Sequence, residues 1–345
     1  MLSYILKRLF LMLPTLLGVL TLTFAVIQFV PGGPVEQALA QARSQGRMGD
    51  VGGYRASGDS DAQQVEALKK LYGFDKPVHE RYLDMLWNFA RFELGDSFMQ
   101  NKPVWQLIQE KLPVSLSLGL WTFLATYLIS VPLGVWKAVR EGQAFDTVST
   151  LLVLVGYAIP GFVLGVFLIV LFAGGSYWEL FPLRGLVSEN WASLSWPARI
   201  ADYFWHLALP LTCLVVGSFA TMTFLTKNTF IEEMRKQYVL VARAKGLSQR
   251  QVLRRHVLRN ALIPIVTGFP AAFVGAFFTG SLLVETLFSL DGLGLLGYES
   301  IVRRDYPVVL GTLYLFTLMG LVVKLLADVV YTLVDPRVQF GAVAK

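Results

Sequence analysis

The chain has 345 residues, of which 54% are hydrophobic and 16% charged, with 30 Lys and Arg against 24 Asp and Glu. Typical soluble domains carry about 25% charged residues and rarely grow one core beyond roughly 250–300 residues, so a single soluble domain and a disordered chain are both excluded. One cysteine, Cys213, excludes an intramolecular disulfide framework and a cysteine-based zinc site, and three scattered histidines (His79, His206, His256) offer no metal-ligand spacing.

Crossing a bilayer takes about 20 apolar residues in a helix. Six runs without charge are long enough or nearly so: 9–35, 112–136, 147–178, 203–226, 260–284 and 306–323, the last continuing past Lys324 and Asp328. Backbone polar groups cannot stay unpaired in lipid, so each run is expected to be helical. A β-barrel would instead show segments of about 10 residues with alternating polarity. The expected fold class is an all-α, polytopic membrane protein with six transmembrane helices.

Lys7 and Arg8 precede the first run and Ala38-Leu39-Ala40 follows it, which imitates a secretory signal. Signal cores run about 7–15 residues, and this run is longer, so it is expected to remain as the first helix. The chain then divides into residues 1–30 (N-terminus and first helix), an extracytoplasmic region 31–111, and a core of five helices over 112–345. Region 31–111 opens on Pro31-Gly32-Gly33-Pro34, which cannot continue a helix. Residues 43–60 are rich in Gly, Ser and charge. From 61 to 93 the spacing predicts helix, with Val65, Leu68, Leu71 and Tyr72 on one apolar face and Tyr82, Met85, Leu86 and Phe89 on another. The region is either a cap on the membrane domain or a docking surface for an extracytoplasmic partner.

The loop after the third run carries Tyr177, Trp178, Phe181, Trp191, Trp196, Tyr203 and Trp205, as expected of an aromatic belt at the membrane interface. Loop 227–259 is basic and helix-forming. Gly246 can end one helix and Ser248 can start another, with Gln251 as its capping-box partner. Before Gly246, Tyr238, Val241 and Ala242 are expected to share a face, with Arg243 and Lys245 beside it; the adjacent pair Glu232-Glu233 is expected to face water. Such an amphipathic helix either lies on anionic lipid or enters a partner's groove. In the fifth run Ala271, Ala272, Gly275, Ala276 and Gly280 form small-xxx-small pairs that allow close helix approach. Gly292-Leu293-Gly294-Leu295-Leu296-Gly297 matches a dinucleotide fingerprint as a string, but it follows a membrane run instead of a strand, and reads as a glycine-rich turn. No phosphate-cradling G-x-x-x-x-G-K-[ST] loop occurs. Lys324 and Asp328, four apart in the last run, are expected to form an intramembrane charge pair facing the bundle interior, for packing or for a pathway. Cys213 is expected to be a small apolar filler.

Basic residues set the orientation. With the N-terminus inside, the inner segments hold 15 basic residues, and the two short outer loops hold four (Arg184, Arg199, Arg303, Arg304). Both termini are therefore expected on the cytoplasmic side, and the net charge of +6 needs no nucleic-acid partner.

Residues Tyr238 to Gly246, followed by His256-Val257-Leu258-Arg259-Asn260-Ala261-Leu262-Ile263-Pro264, resemble the cytoplasmic motif of ABC importer permeases, in the dipeptide, oligopeptide and nickel branch. Further stretches agree: Pro31-Gly32-Gly33-Pro34, Leu71 to Pro77, Gly95-Asp96-Ser97, Glu285 with Phe288 and Gly292-Leu293-Gly294, and Asp335-Pro336-Arg337. Leu240-Val241-Ala242 fills the slot where many ABC importers carry Glu-Ala-Ala. The resemblance implies the type I importer permease fold, a bacterial inner-membrane location, and ATP-driven uptake of oligopeptides or peptide-like antibiotics of the microcin C type by alternating access. Importers of nickel, dipeptides or oligosaccharides are the alternatives, and a membrane-embedded enzyme or passive channel the rivals from other classes. It implies no catalytic residues and no cofactor in this chain, because ATP and Mg would sit on partner subunits. The implied partners are a second homologous permease, ABC ATPase subunits or one fused ATPase, an extracytoplasmic peptide-binding protein and the lipid bilayer. Tyr238, Val241, Ala242, Arg243, Ala244, Lys245 and Gly246 would form the segment that couples to the ATPase.

The orientation is tested by single cysteines placed at Ser57 and at Gln249 and labelled with an impermeant reagent in intact cells. Labelling at position 57 alone is expected; equal labelling at both would overturn the topology.

Overall fold

A computed structural model describes residues 2–29, 75–175, 177–278 and 282–334. These residues are overwhelmingly helical. Thirteen α-helical segments run in chain order: α1 (Leu2–Phe29), α2 (Val78–Ala90), α3 (Val104–Val139), α4 (Ala144–Ala158), α5 (Gly161–Phe172), α6 (Trp196–Met234), α7 (Gln237–Ala244), α8 (Gln249–Val252), α9 (Leu258–Ala261), α10 (Ile263–Phe278), α11 (Leu282–Leu287), α12 (Leu293–Val302) and α13 (Tyr306–Val334). A π-turn, Leu253–Val257, joins α8 to α9. The only strand-like pairing among the described residues is the bridge between Asp96 and Pro103.

Among the described residues four helices are long and apolar enough to cross a membrane: Ile5–Phe29, Val104–Val139, Trp196–Met234 and Tyr306–Val329. The expected span 147–178 is not one straight helix. It is α4 and α5, bent by 93° at the Ile159–Pro160 break, and it counts as a fifth crossing if the bent pair is taken as one span. The cause is local: Pro160 has no N–H to give the helix, and it drives the residue before it out of the helical region, so Ile159 sits extended at ψ 117°. The expected span 260–284 contains the 16-residue α10. The first expected face of 61–93 and Gly280 lie outside the described residues. The second face is as expected, since Tyr82, Met85, Leu86 and Phe89 are the covered side of α2 together with Arg81.

Two compact units divide the chain, one of Met1–Ile5, Lys111–Leu295 and Gly320–Lys345, the other of Leu6–Glu110 and Leu296–Met319. In the second unit, the Phe89 and Tyr314 rings pack in a tilted pair with centroids 5.2 Å apart. Ser97, from the Gly95-Asp96-Ser97 stretch, donates to the buried Asp305 carboxylate at 2.5 Å, and Phe98 N–H donates to its other oxygen at 3.0 Å. Asp305 directly precedes α13, where a carboxylate offsets the positive end of the helix.

In the first unit, α6 is the central element. Its buried residues Leu207, Leu209 and Cys213 join Leu118 of α3, Val284 of α11, and Phe288 and Leu290 beyond α11 in one apolar core. Cys213 is thus a core residue, as expected. Ser130 of α3 donates to the Phe219 carbonyl of α6 at 3.2 Å. The glycine-rich string forms a turn into α12. Glu285 is buried, and one of its carboxylate oxygens accepts from Leu295 N–H in the first turn of α12 at 2.8 Å. Leu293 N–H donates to Ser115 Oγ at 2.8 Å. Two of the orphan amides of that helix start are thereby satisfied. A Cβ at 292 would stand 2.8 Å from Glu285 Cδ, so any larger residue there must displace the buried carboxylate.

The structure corrects one expected pair. Lys324 is exposed and Asp328 only half-buried, so they are not a pair sealed in this chain's interior. Where the structure gives exposure, α13 beyond Leu315 has no buried side chain, so no described residue seals its faces.

Gly292→Ala is expected to destabilise the folded chain by about 1–3 kcal/mol through overpacking against Glu285. The measurement is the thermal midpoint of the detergent-purified protein. An unchanged midpoint would show that the Glu285 cradle yields freely.

Candidate docking site

Loop 227–259 folds into a compact knuckle whose parts follow from short sequence signals. α6 ends at Met234, with Arg235 and Lys236 N–H groups bonded to the Glu232 and Glu233 carbonyls. α7 follows, and Gly246 ends it at φ +84°, a left-handed conformation that a Cβ disfavours by about 1–2 kcal/mol. Gly246 N–H donates to Arg243 O at 2.9 Å and Leu247 N–H to Ala242 O at 3.3 Å. These two bonds make a Schellman cap. One residue later Ser248 opens α8 with a full capping box to Gln251. Both helix boundaries are those expected from Gly246 and Ser248.

The faces of α7 differ from the expectation. Val239 and Ala242 are buried and Tyr238 half-buried, whereas Leu240 and Val241 are 59% and 53% exposed. Val241 therefore does not share a face with Ala242. The buried side packs against Ala138 of α3, Phe230 of α6, and Val252, Val257 and Ala261 beyond the turn. Val252 and Val257 are five apart, a spacing that would diverge on an α-helix; the intervening π-turn brings both inward. The outer side presents Leu240, Val241 and Ala244, with Arg243, Lys245 and Gly246 also exposed. Ala242, expected to meet a partner, is committed to its own chain.

Glu233 is the second correction. Glu232 is exposed as expected, but Glu233 is buried, because Tyr238 folds back over it. Tyr238 Oη donates to Glu233 Oε1 at 2.6 Å, and Lys236 pairs with the other oxygen. Asn260 Nδ2 donates to Tyr238 Oη at 3.3 Å. Burial, reinforced by the bond to Glu233, raises the Tyr238 hydroxyl above its ordinary range, so it remains a proton donor at neutral pH.

A buried ionic cluster lies beside the knuckle. Lys137, the last-turn lysine of α3, is fully buried (0% exposed). Its Nζ contacts Asp146 Oδ1 at 3.1 Å and donates to Asp146 O, Ser149 Oγ and Thr150 Oγ1 at 2.9, 2.9 and 2.6 Å. Lys227 of α6 donates to both oxygens of the same carboxylate at 2.8 and 2.7 Å. Gly142 N–H completes the set at 3.2 Å. Among the described residues no grouping of three His, Cys, Asp or Glu side chains is placed to hold a metal, and the knuckle carries neither a nucleophile–base pair nor a phosphate loop.

The family described as binding-protein-dependent transport system inner membrane component matches residues 130–340, which include the whole knuckle. The chain belongs to this family of ABC transporter permeases, and its apolar helices agree with a multi-pass inner-membrane protein. It is 54% identical, over 98% of both chains, to the peptidoglycan transport system permease protein YejB of Agrobacterium fabrum. It is 49% identical, over 98% of this chain and 99% of the relative, to the inner membrane ABC transporter permease protein YejB of Escherichia coli O157:H7. The dipeptide transport system permease protein DppB of Escherichia coli K12 is 33% identical over 98% of this chain and 99% of its own.

Tyr238→Phe removes a hydrogen bond to a buried charged group, a loss of about 1.5–3 kcal/mol. Hydrogen exchange over Gln237–Ala244 is expected to accelerate accordingly, while exchange in α6 stays unchanged. Equal protection in both proteins would show that the Tyr238–Glu233 bond does not hold the knuckle.

Proposed function

We propose that this chain is one of two permease subunits of an ATP-driven importer of short peptides and peptide-like compounds, and that α7 is the element its ATPase engages. The observation that carries the docking role is the two-sidedness of α7. Its inner face is fixed by Val239 and Ala242, while Leu240, Val241 and Ala244 stand uncovered at the tip of a basic loop. An exposed apolar face on a rigidly capped helix suits insertion into a protein groove. Arg243 and Lys245 beside it suit an acidic rim.

The peptide assignment is supported by the relatives' names, which specify peptidoglycan and dipeptide transport. Peptides released from peptidoglycan are the first candidates, followed by other oligopeptides. Orientation with both termini and α7 in the cytoplasm follows from the distribution of Lys and Arg. In this reading ATP and Mg are held by the ATPase. Closure of that ATPase around nucleotide moves α7, and the spans of the two permeases exchange an outward for an inward opening. A binding protein delivers solute from outside. Alternating access needs no catalytic residue in this chain, because the solute crosses chemically unchanged.

The test is Val241→Asp in the complex co-expressed with its ATPase and second permease. A carboxylate on the docking face would have to be desolvated, so the ATPase recovered with the membrane subunits should fall about tenfold or more. Ala242→Asp fails as a comparison because it would break the knuckle itself. Exposed Gln249→Asp is the control and should leave recovery unchanged. Full ATPase recovery and uptake with Val241→Asp would overturn the docking role and return α7 to the lipid surface.

A further inference from the structure

The cluster of Lys137, Asp146 and Lys227 is the most buried ionic group in the described part of the chain. Stability alone does not account for it. A buried ion pair contributes little that apolar packing would not, since desolvation offsets most of the attraction. Two ammonium groups on one carboxylate leave a net positive charge inside, which is less favourable still. What such a cluster does well is fix geometry, because every donor is committed to a specific acceptor. Lys137 has three N–H groups and finds backbone and hydroxyl acceptors in the first two turns of α4. Lys227 reaches across from α6 to both oxygens of Asp146.

The position of the cluster is the second observation. Phe230 lies three residues after Lys227, about one turn along α6, and Ala138 directly follows Lys137. Phe230 and Ala138 are buried in the same apolar cluster as Val239 and Ala242 of α7. A displacement of α7 therefore bears on α3 and α6 within one turn of the two lysines. Both lysines grip the same carboxylate at the start of α4, and α4 leads to the 93° break and to α5.

We infer that Asp146, held by Lys137 and Lys227, is a positioning residue that carries movement of the docking helix α7 into the bent α4–α5 span. This rests on the reading of α7 as the ATPase-engaging element. Lys227 is the link to test first, because it joins α6 to α4 directly, whereas the Lys137 contacts stay between neighbouring α3 and α4.

The informative variant is Lys227→Met. It keeps the side-chain length and leaves Lys137 and Asp146 as a neutral pair, so the buried site is not left with an unpaired charge. The experiment uses the full complex with its ATPase and second permease, in nanodiscs, and reads hydrogen exchange with and without ATP and vanadate. In the wild type, trapping should change exchange in both Gln237–Ala244 and Ala144–Ala158. In Lys227→Met, the change in Gln237–Ala244 should persist while that in Ala144–Ala158 falls at least about fivefold, the low end of ordinary coupling between sites. Lys227→Arg, which retains the ion pair, should restore it. The inference is overturned if Lys227→Met transmits like the wild type, or if it simply fails to assemble while Lys227→Arg assembles, which would make the cluster a structural staple. A wild type in which trapping leaves Gln237–Ala244 itself unchanged overturns the docking role of α7, and the inference with it.

Discussion

An eight-residue helix does not hold itself together in water, since isolated helices shorter than about 12–15 residues are marginal. The order of the knuckle therefore depends on one interaction, the burial of Val239 and Ala242 in one cluster with Ala138, Phe230, Val252, Val257 and Ala261. Fully burying a valine side chain contributes about 1.5–3 kcal/mol. That anchor makes the Schellman cap and capping box productive, because caps refine a helix already held in place. It also decides which residues of α7 remain available. Leu240, Val241 and Ala244 are exposed because the 3.6-residue period turns them away once Val239 and Ala242 are fixed.

Much of the fold was legible in the sequence. Charge-free runs located the long helices, and Tyr82, Met85, Leu86 and Phe89 gave the covered face of α2 from their spacing alone. Gly246 and the Ser248–Gln251 pair marked both helix boundaries in the knuckle, since caps are local chemistry that tertiary packing seldom overrides. Other features depended on partners distant in sequence. The face of α7 could not be chosen from Tyr238 to Gly246 alone, because Val239 and Val241 are equally apolar and the choice is made by Phe230 and Ala138. Glu233 looks like a solvated neighbour of Glu232 until Tyr238 folds over it.

The ionic cluster left a trace that is plain in retrospect. Lys137 ends one charge-free run, Asp146 precedes the next, and Lys227 ends another. Charges that border successive antiparallel crossings at one membrane face lie at similar depth, and opposite signs there are natural partners. Pro160 by itself did not announce the bend, because Pro14, Pro132 and Pro210 lie inside apolar runs that stay single helices.

Between the Schellman cap at Gly246 and the capping box at Ser248 only Leu247 intervenes, and it too packs on the apolar cluster. The joint thus has almost no slack. A push on α7 cannot be absorbed by a yielding linker; it arrives as torque on α8 and the π-turn. In the proposed docking role the knuckle would act as a stiff crank, its stroke set by how far Val252 and Val257 can shift before their packing is lost.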